Sequence, residues 1–225
     1  MHKFESDMTV REKRHQEIEK LKKMSFKEKV SHMWAYHKLI LFMPVIILVL
    51  VVSVFRWIEN SRYETVLHIA ISDSAWIDTD EVAKEIKTLL NIDNRFSVIG
   101  LDNTYFTRDG ELTMESVQKF AVVVANRRMD IFITGEDLFD LYMPQEIFMN
   151  LHDLFTSEEL AEMELLDGYG IYVGDSDFIR NQLDIIYSPV FLGVISNVDL
   201  EEVNQDGGFK KDLIRDFYFD VIRKN

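Results

Sequence analysis

VLHIAISDSAWIDTDEVAKEIKTLLNIDNRFSVIGL, residues 66–101, holds two short apolar runs on either side of an amphipathic stretch. VLHIAI (66–71) and FSVIGL (96–101) are nearly continuous in apolar and β-branched residues, the pattern of strands covered on both faces. Residues 79–90 between them carry the helical pattern. The unit reads strand, helix, strand, and the alternation continues downstream. Residues 105–113 contain Asp109-Gly110, the signal for a small hairpin. A helix is predicted over 114–126 and a third strand over DIFIT, 130–134.

Thr134-Gly-Glu-Asp137 can open a short helix that Pro144 ends, and Thr156-Ser-Glu-Glu159 is a capping box for another reaching about residue 165. Residues 171–173 and VFLGVIS (190–196) read as two more strands. Gly207-Gly208 breaks the chain before a last helix over 209–223. Strands alternating with helices predict an α/β domain with a largely parallel sheet and helices on its faces.

In such sheets ligands sit beyond the carboxyl ends of the strands. Those ends are Ser72-Asp73-Ser74, Asp102-Asn103, Thr134-Gly135-Glu136 and Gly174-Asp175-Ser176. The candidate ligand-binding residues are therefore Ser72, Asp73, Ser74, Asp102, Thr134, Gly135 and Asp175. Hydroxyls, carboxylates and helix-opening N–H groups suit a small polar or cationic molecule. Helix capping and turn formation call for the same residue types and are the competing account.

Upstream, LILFMPVIILVLVVSVFRWI (39–58) has seventeen apolar residues in twenty. At 1.5 Å per residue it is roughly 30 Å long, the thickness of a hydrocarbon core. Residues 1–38 hold ten Lys/Arg and six Asp/Glu, a net of +4, while residues 59–225 hold fourteen and thirty-three, a net of −19. The positive-inside tendency then predicts a cytoplasmic N-terminus, a signal anchor at 39–58 and an extracytoplasmic domain at 59–225. A cleavable signal peptide is disfavoured, because the preceding region is long and no A-x-A-like site follows. Ser25-Phe-Lys-Glu28 opens a juxtamembrane helix, and the basic 25–38 flank is expected to touch membrane lipid alongside the anchor.

The total charge of −14 leaves no excess of Lys/Arg to neutralise phosphates, so nucleic acid is not an expected partner. Cys is absent, which removes disulfides, thiolate metal sites and a Cys nucleophile, and points to a bacterial surface rather than a disulfide-rich secretory one. No G-x-S-x-G, P-loop, G-x-G-x-x-G or H-E-x-x-H occurs. Only His68 and His152 lie beyond the anchor, too few for a His-based zinc site, and no metal or other cofactor is expected. His68, in mid-strand, reads as a core or half-buried residue. With thirty-three carboxylates in the outer domain, a chosen acid/base pair carries little information, and an enzyme is not the expected reading.

MSFKEKVSHMWAYHKLILF (24–42) is similar to the juxtamembrane start of a group of uncharacterised bacterial single-pass membrane proteins. LTMESVQKFAVVVANRRMDIFITGEDLFDLYMPQEIFMNLHDL (112–154) resembles a segment of extracellular solute-binding proteins of the type II periplasmic-binding fold, in which a helix leads into a strand, a short helix and a turn beside the ligand cleft. Residues 130–133 and 151–154 follow that order. VFLGVISN (190–197) and the terminal helix resemble the family's later strand and helix. The resemblance implies one lobe, or a compact form, of such a fold. It also implies non-catalytic recognition of a small ligand or assistance to a membrane transporter. The alternative expectation is a structural or interaction subunit that holds other membrane proteins and has no small ligand.

Overall fold

The computed structural model describes residues 9–28, 31, 34, 38–74, 77–183, 185, 187, 189–204 and 207–224. The chain divides into two compact units, Met1–Ser61 and Arg62–Asn225.

In the first unit, helix α1 (Val10–Lys23) is opened by a capping box. The Glu12 N–H donates to the Thr9 hydroxyl, and the Thr9 N–H donates to the Glu12 carboxylate at 2.8 Å. The expected box at Ser25 is also formed, its N–H donating to Glu28 at 2.8 Å. Residues 29, 30, 32, 33 and 35–37 of the expected juxtamembrane helix lie outside the described residues. Helix α2 (Lys38–Asn60) takes in the whole apolar run, with Pro44 in its second turn. Its 23 residues extend about 34 Å. The side chains from Phe42 onward are exposed around the whole circumference, and among the described residues this is the one helix long and apolar enough to cross a membrane.

The second unit is an α/β domain. Strands β1 (Glu64–Ser72), β2 (Ser97–Tyr105), β3 (Thr107–Arg108), β4 (Glu111–Leu112), β5 (Ile131–Gly135), β6 (Leu165–Leu166), β7 (Gly170–Tyr172) and β8 (Val190–Val194) are joined, among the described residues, by five α-helices and two short 3-10 turns. The α-helices are α3 (Thr79–Leu89), α4 (Met114–Ala125), α5 (Glu136–Tyr142), α6 (Ser157–Leu160) and α7 (Asp177–Gln182). Helix α8 (Lys210–Asp216) runs on into a π-helical stretch, Phe217–Arg223, at the end of the described chain. Six strands form one sheet in the order β2-β1-β5-β8-β7-β6. The β2-β1-β5 half, where strand and helix alternate, is parallel, and β8, β7 and β6 continue it antiparallel.

Alternate residues of the central strands feed two cores. Ile69, Ile71, Ile131 and Ile133 pack with Val82 and Ile86 of α3 and with Leu213 and Phe217 of the terminal helix. Ala70 and Phe132 face the other way, toward Phe120 of α4 and Leu138 and Phe139 of α5. Both faces are covered, which is why these strands read as continuous apolar runs.

Several boundaries depart from expectation. The helix opened by Thr156 stops at Leu160 because Leu165–Leu166 pair with Gly170–Ile171 as a hairpin. Asp167 (φ +49°) and Gly168 (φ +77°) turn the chain there, in a region glycine adopts without steric cost. Thr134 does not cap α5: Gly135 holds the N-cap position without a side-chain bond, and Thr134 is buried inside the domain.

Candidate functional site

The chain leaves β1 for β2 on one side and returns from β2 to β5 on the other. Helices α3 and α4 therefore lie on opposite faces, and a crevice opens where β1 and β5 end together, the usual ligand position in open α/β sheets. Register brings Ile71 opposite Ile133, so Ser72 and Thr134 come next as neighbours, and their hydroxyls lie 2.9 Å apart. Asp73 follows with φ +46°, a left-handed conformation that turns the chain out of the strand.

These residues form the floor of an open cleft of about 280 Å³. One wall is the β3–β4 hairpin. Its Asp109-Gly110 loop has φ +55° and +82°, as a two-residue type I′ turn requires. Asp73 ties the hairpin down, accepting from the Thr107 N–H at 2.8 Å and the Thr107 hydroxyl at 2.5 Å. Gly135, Glu136 and Asp137 form the second wall, and Tyr187 and Pro189, which precede β8, form the third.

Ser72 donates to the Tyr187 hydroxyl at 3.1 Å, and Tyr187 donates to the Ile133 carbonyl at 3.3 Å. With that proton committed, Thr134 is the donor to Ser72. A one-way chain results, Thr134 to Ser72 to Tyr187 to carbonyl. Burial, with a further push from the Asp73 charge, raises the Tyr187 phenol above its ordinary range against the opposing Ser72 hydrogen bond. The phenol therefore stays a neutral hydroxyl. Among the described residues the lining includes Asp73, Glu136 and Asp137 but no Lys, Arg or His, so the cleft is acidic and its field attracts positive charge.

Of the seven residues the sequence singles out, Ser72, Asp73, Thr134 and Gly135 meet in this cleft, and three lie elsewhere. Ser74 is buried, donating its hydroxyl to the Leu183 carbonyl at 2.6 Å. Asp102 pairs with Lys119 and accepts from the Thr104 N–H and hydroxyl. Its burial would raise its pKa, but Lys119 and Thr104 together hold it below the usual range. Asp175 is exposed and paired with Arg180, beside Ser176, which caps α7. At Gly174-Asp175-Ser176 the capping account is the one the geometry supports. Among the described residues no three Asp, Glu or His side chains are grouped to hold a metal ion.

Thr107, Glu136, Asp137 and Tyr187 join the site from outside those seven, Glu136 having been placed at a strand end without being made a candidate. Tyr187 arrives because β8 is antiparallel to β5, which pairs Val190 with Gly135 and puts the residues before β8 at the crevice. The strand direction that decides this leaves no local mark in the sequence. Thr107 could have been found from the hairpin signal, since a hairpin directly after β2 must stand at the same end of the sheet.

Comparison with protein-family models, with curated proteins and with solved structures finds no match for this chain.

Proposed function

We propose that this chain is a membrane-anchored recognition protein whose outer α/β domain binds a small polar or cationic molecule in the cleft at the ends of β1 and β5. The observation that carries the reading is the meeting of Ser72-Asp73 with Thr134-Gly135 at the switch in strand order. Three carboxylates with no cationic neighbour among the described lining residues favour an ammonium group, and the hydroxyl chain supplies directional contacts. Each cleft hydroxyl is held by another hydroxyl, a carboxylate or a carbonyl, an arrangement suited to orienting a ligand rather than attacking one.

In this reading helix α2 is the anchor in a bacterial cell membrane. The basic tail lies in the cytoplasm, touching lipid through the 25–38 flank, and the acidic domain lies outside. The domain is a compact relative of one solute-binding lobe. It presents its ligand to a transporter or another membrane protein.

The test is thermal unfolding of the full chain in mild detergent with amino acids, polyamines, sugars and carboxylic acids. A ligand at 100 times its Kd adds about 2.7 kcal/mol. Dose-dependent stabilisation by an amine or polyol class, lost in Glu136→Gln/Asp137→Asn, is the expected result. Indifference to every class would sink the reading. The second reading, a structural or interaction subunit without a small ligand, is favoured by one observation, the exposed apolar face of α4.

A further inference from the structure

Helix α4 is apolar on its outer side as well as its inner one. Ser116 and Phe120 are buried against the sheet, yet Met114, Val117, Ala121, Val122 and Ala125 are exposed on the outward side, with Gln118 among them. At 100° per residue these six fall within one stripe about 140° wide. Met114 keeps 73% of its surface and Val122 61%. A helix apolar on both sides is normally covered on both.

We infer that the α4 face is covered by the same face of a second copy of this chain, the two helices antiparallel about a two-fold axis. Charge selects this occupant. The approach to α4 is acidic, with Glu111 and Glu115 exposed, and its exit is basic, with Arg127 and Arg128 exposed. Antiparallel pairing sets each acidic start against a basic end. Placing Val117 against the partner's Val122 also places Met114 against the partner's Ala125, and it sets β4, with Glu111, on the side of the segment that follows the partner's helix, with Arg127 and Arg128. Ala121 and Ala125 leave room for close approach. An anionic lipid surface is the poorer partner, since exposed Glu111 and Glu115 stand at one end of the stripe, where a lipid phosphate offers them no opposite charge. An isologous contact needs only one self-complementary patch. A stripe this size is small beside the roughly 800 Å² per partner of a stable interface, so confinement of both copies to one membrane contributes to the pairing.

The natural chain has no Cys, so a single introduced thiol reports its own position. The full chain carrying Ala121→Cys, in phosphatidylcholine vesicles at low protein density, should form disulfide dimers under mild oxidation several-fold faster than Glu158→Cys, exposed elsewhere on the domain. Adding Glu111→Arg or Arg128→Glu to Ala121→Cys should lower the dimer yield roughly five-fold, since each reverses two symmetric pairs. Combining the two should restore it. Equal cross-linking at 121 and 158 would overturn the proposal. So would a double reversal that stays as low as either single one. Protection of the Ala121→Cys thiol from labelling only in anionic vesicles, with the chain monomeric, would reveal lipid docking and also overturn it.

Discussion

Polar side chains crowd both ends of the β1–β5 pair, but the two ends are built differently. At the carboxyl end, Ser72, Asp73, Thr134 and Tyr187 surround a cleft whose lining, among the described residues, has carboxylates and no cation. At the amino end, His68, Asp130, Lys210 and Glu202 line a second cleft of about 360 Å³, together with Thr65, Arg127 and Arg128. Here the charges answer one another. Asp130 accepts the His68 N–H at 2.7 Å and pairs with Lys210 at 3.3 Å, and Lys210 also reaches Glu202 at 3.1 Å. Lys210 is the first residue of α8, a position where the helix dipole disfavours a cation, and the two carboxylates offset that. The amino end uses polarity to fasten the terminal helix to the sheet, whereas the carboxyl end leaves Glu136 and Asp137 exposed.

The largest expected effect tests that contrast directly. Asp130→Ala strands a buried Lys210, a change that costs about 3–5 kcal/mol for a fully buried pair. Glu202, half exposed, still screens the ammonium, so the lower end of that range is expected. Glu136→Gln/Asp137→Asn at the other end should change stability by no more than about 0.5 kcal/mol, as exposed substitutions do. Urea midpoints of the full chain, followed by circular dichroism, decide it. Equal losses at the two ends would break the distinction.

The same contrast marks how far the sequence could be read. The β1–α3–β2 unit, α4 and β5 were legible because their periodicities are local, and with them came the four cleft residues Ser72, Asp73, Thr134 and Gly135. Ser74, Asp102 and Asp175 are of the same residue types, and residue type alone could not separate a cleft lining from a buried hydrogen bond or an ion pair made elsewhere. The antiparallel half of the sheet brought Tyr187 to the site through long-range pairing. The ion pair of Asp130 with Lys210 spans eighty positions and has no local signature. His68, by contrast, is half-buried in mid-strand, as its sequence context suggested.

Two glycines sharpen the comparison at intermediate magnitude. A Cβ on Gly100 would lie 2.7 Å from the His68 ring, and one on Gly135 would lie 3.2 Å from the Tyr187 ring. The first contact forces an imidazole to move inside a charge network. Gly100→Ala should therefore cost about 1–3 kcal/mol, typical of overpacking. The second asks Tyr187 to shift by a few tenths of an ångström at an open cleft, so Gly135→Ala should cost less than Gly100→Ala while weakening any ligand that contacts the phenol. Thermal midpoints and ligand titrations of both variants separate these outcomes, and a reversed order would mean that Tyr187 is the more firmly held ring.

The smallest effect concerns pH. Burial holds the His68 imidazole below its ordinary value; Asp130 and Asp102 oppose this, and Lys210 and Arg128 reinforce it. A histidine with a depressed folded pKa adds stability that is present above its unfolded value, near 6.5, and lost as pH falls toward the folded one. Asp130 acts in the opposite sense. Burial raises its pKa despite Lys210 and the His68 N–H, so its contribution grows as pH falls through that raised value and is complete below the ordinary Asp value. The amino end should thus lose stability first in mild acid and recover part of it at lower pH. Tyr187, raised above its ordinary range, titrates only in alkali, and its phenol gives the carboxyl end no counterpart near neutrality. His68→Asn should flatten the decline that begins as pH falls below about 6.5, a difference on the order of 1 kcal/mol per unit of depression. If the slope of stability against pH survives that substitution, the sensitivity does not reside in the polar cluster beneath β1 and β5, and the two ends are more alike than their hydrogen bonds imply.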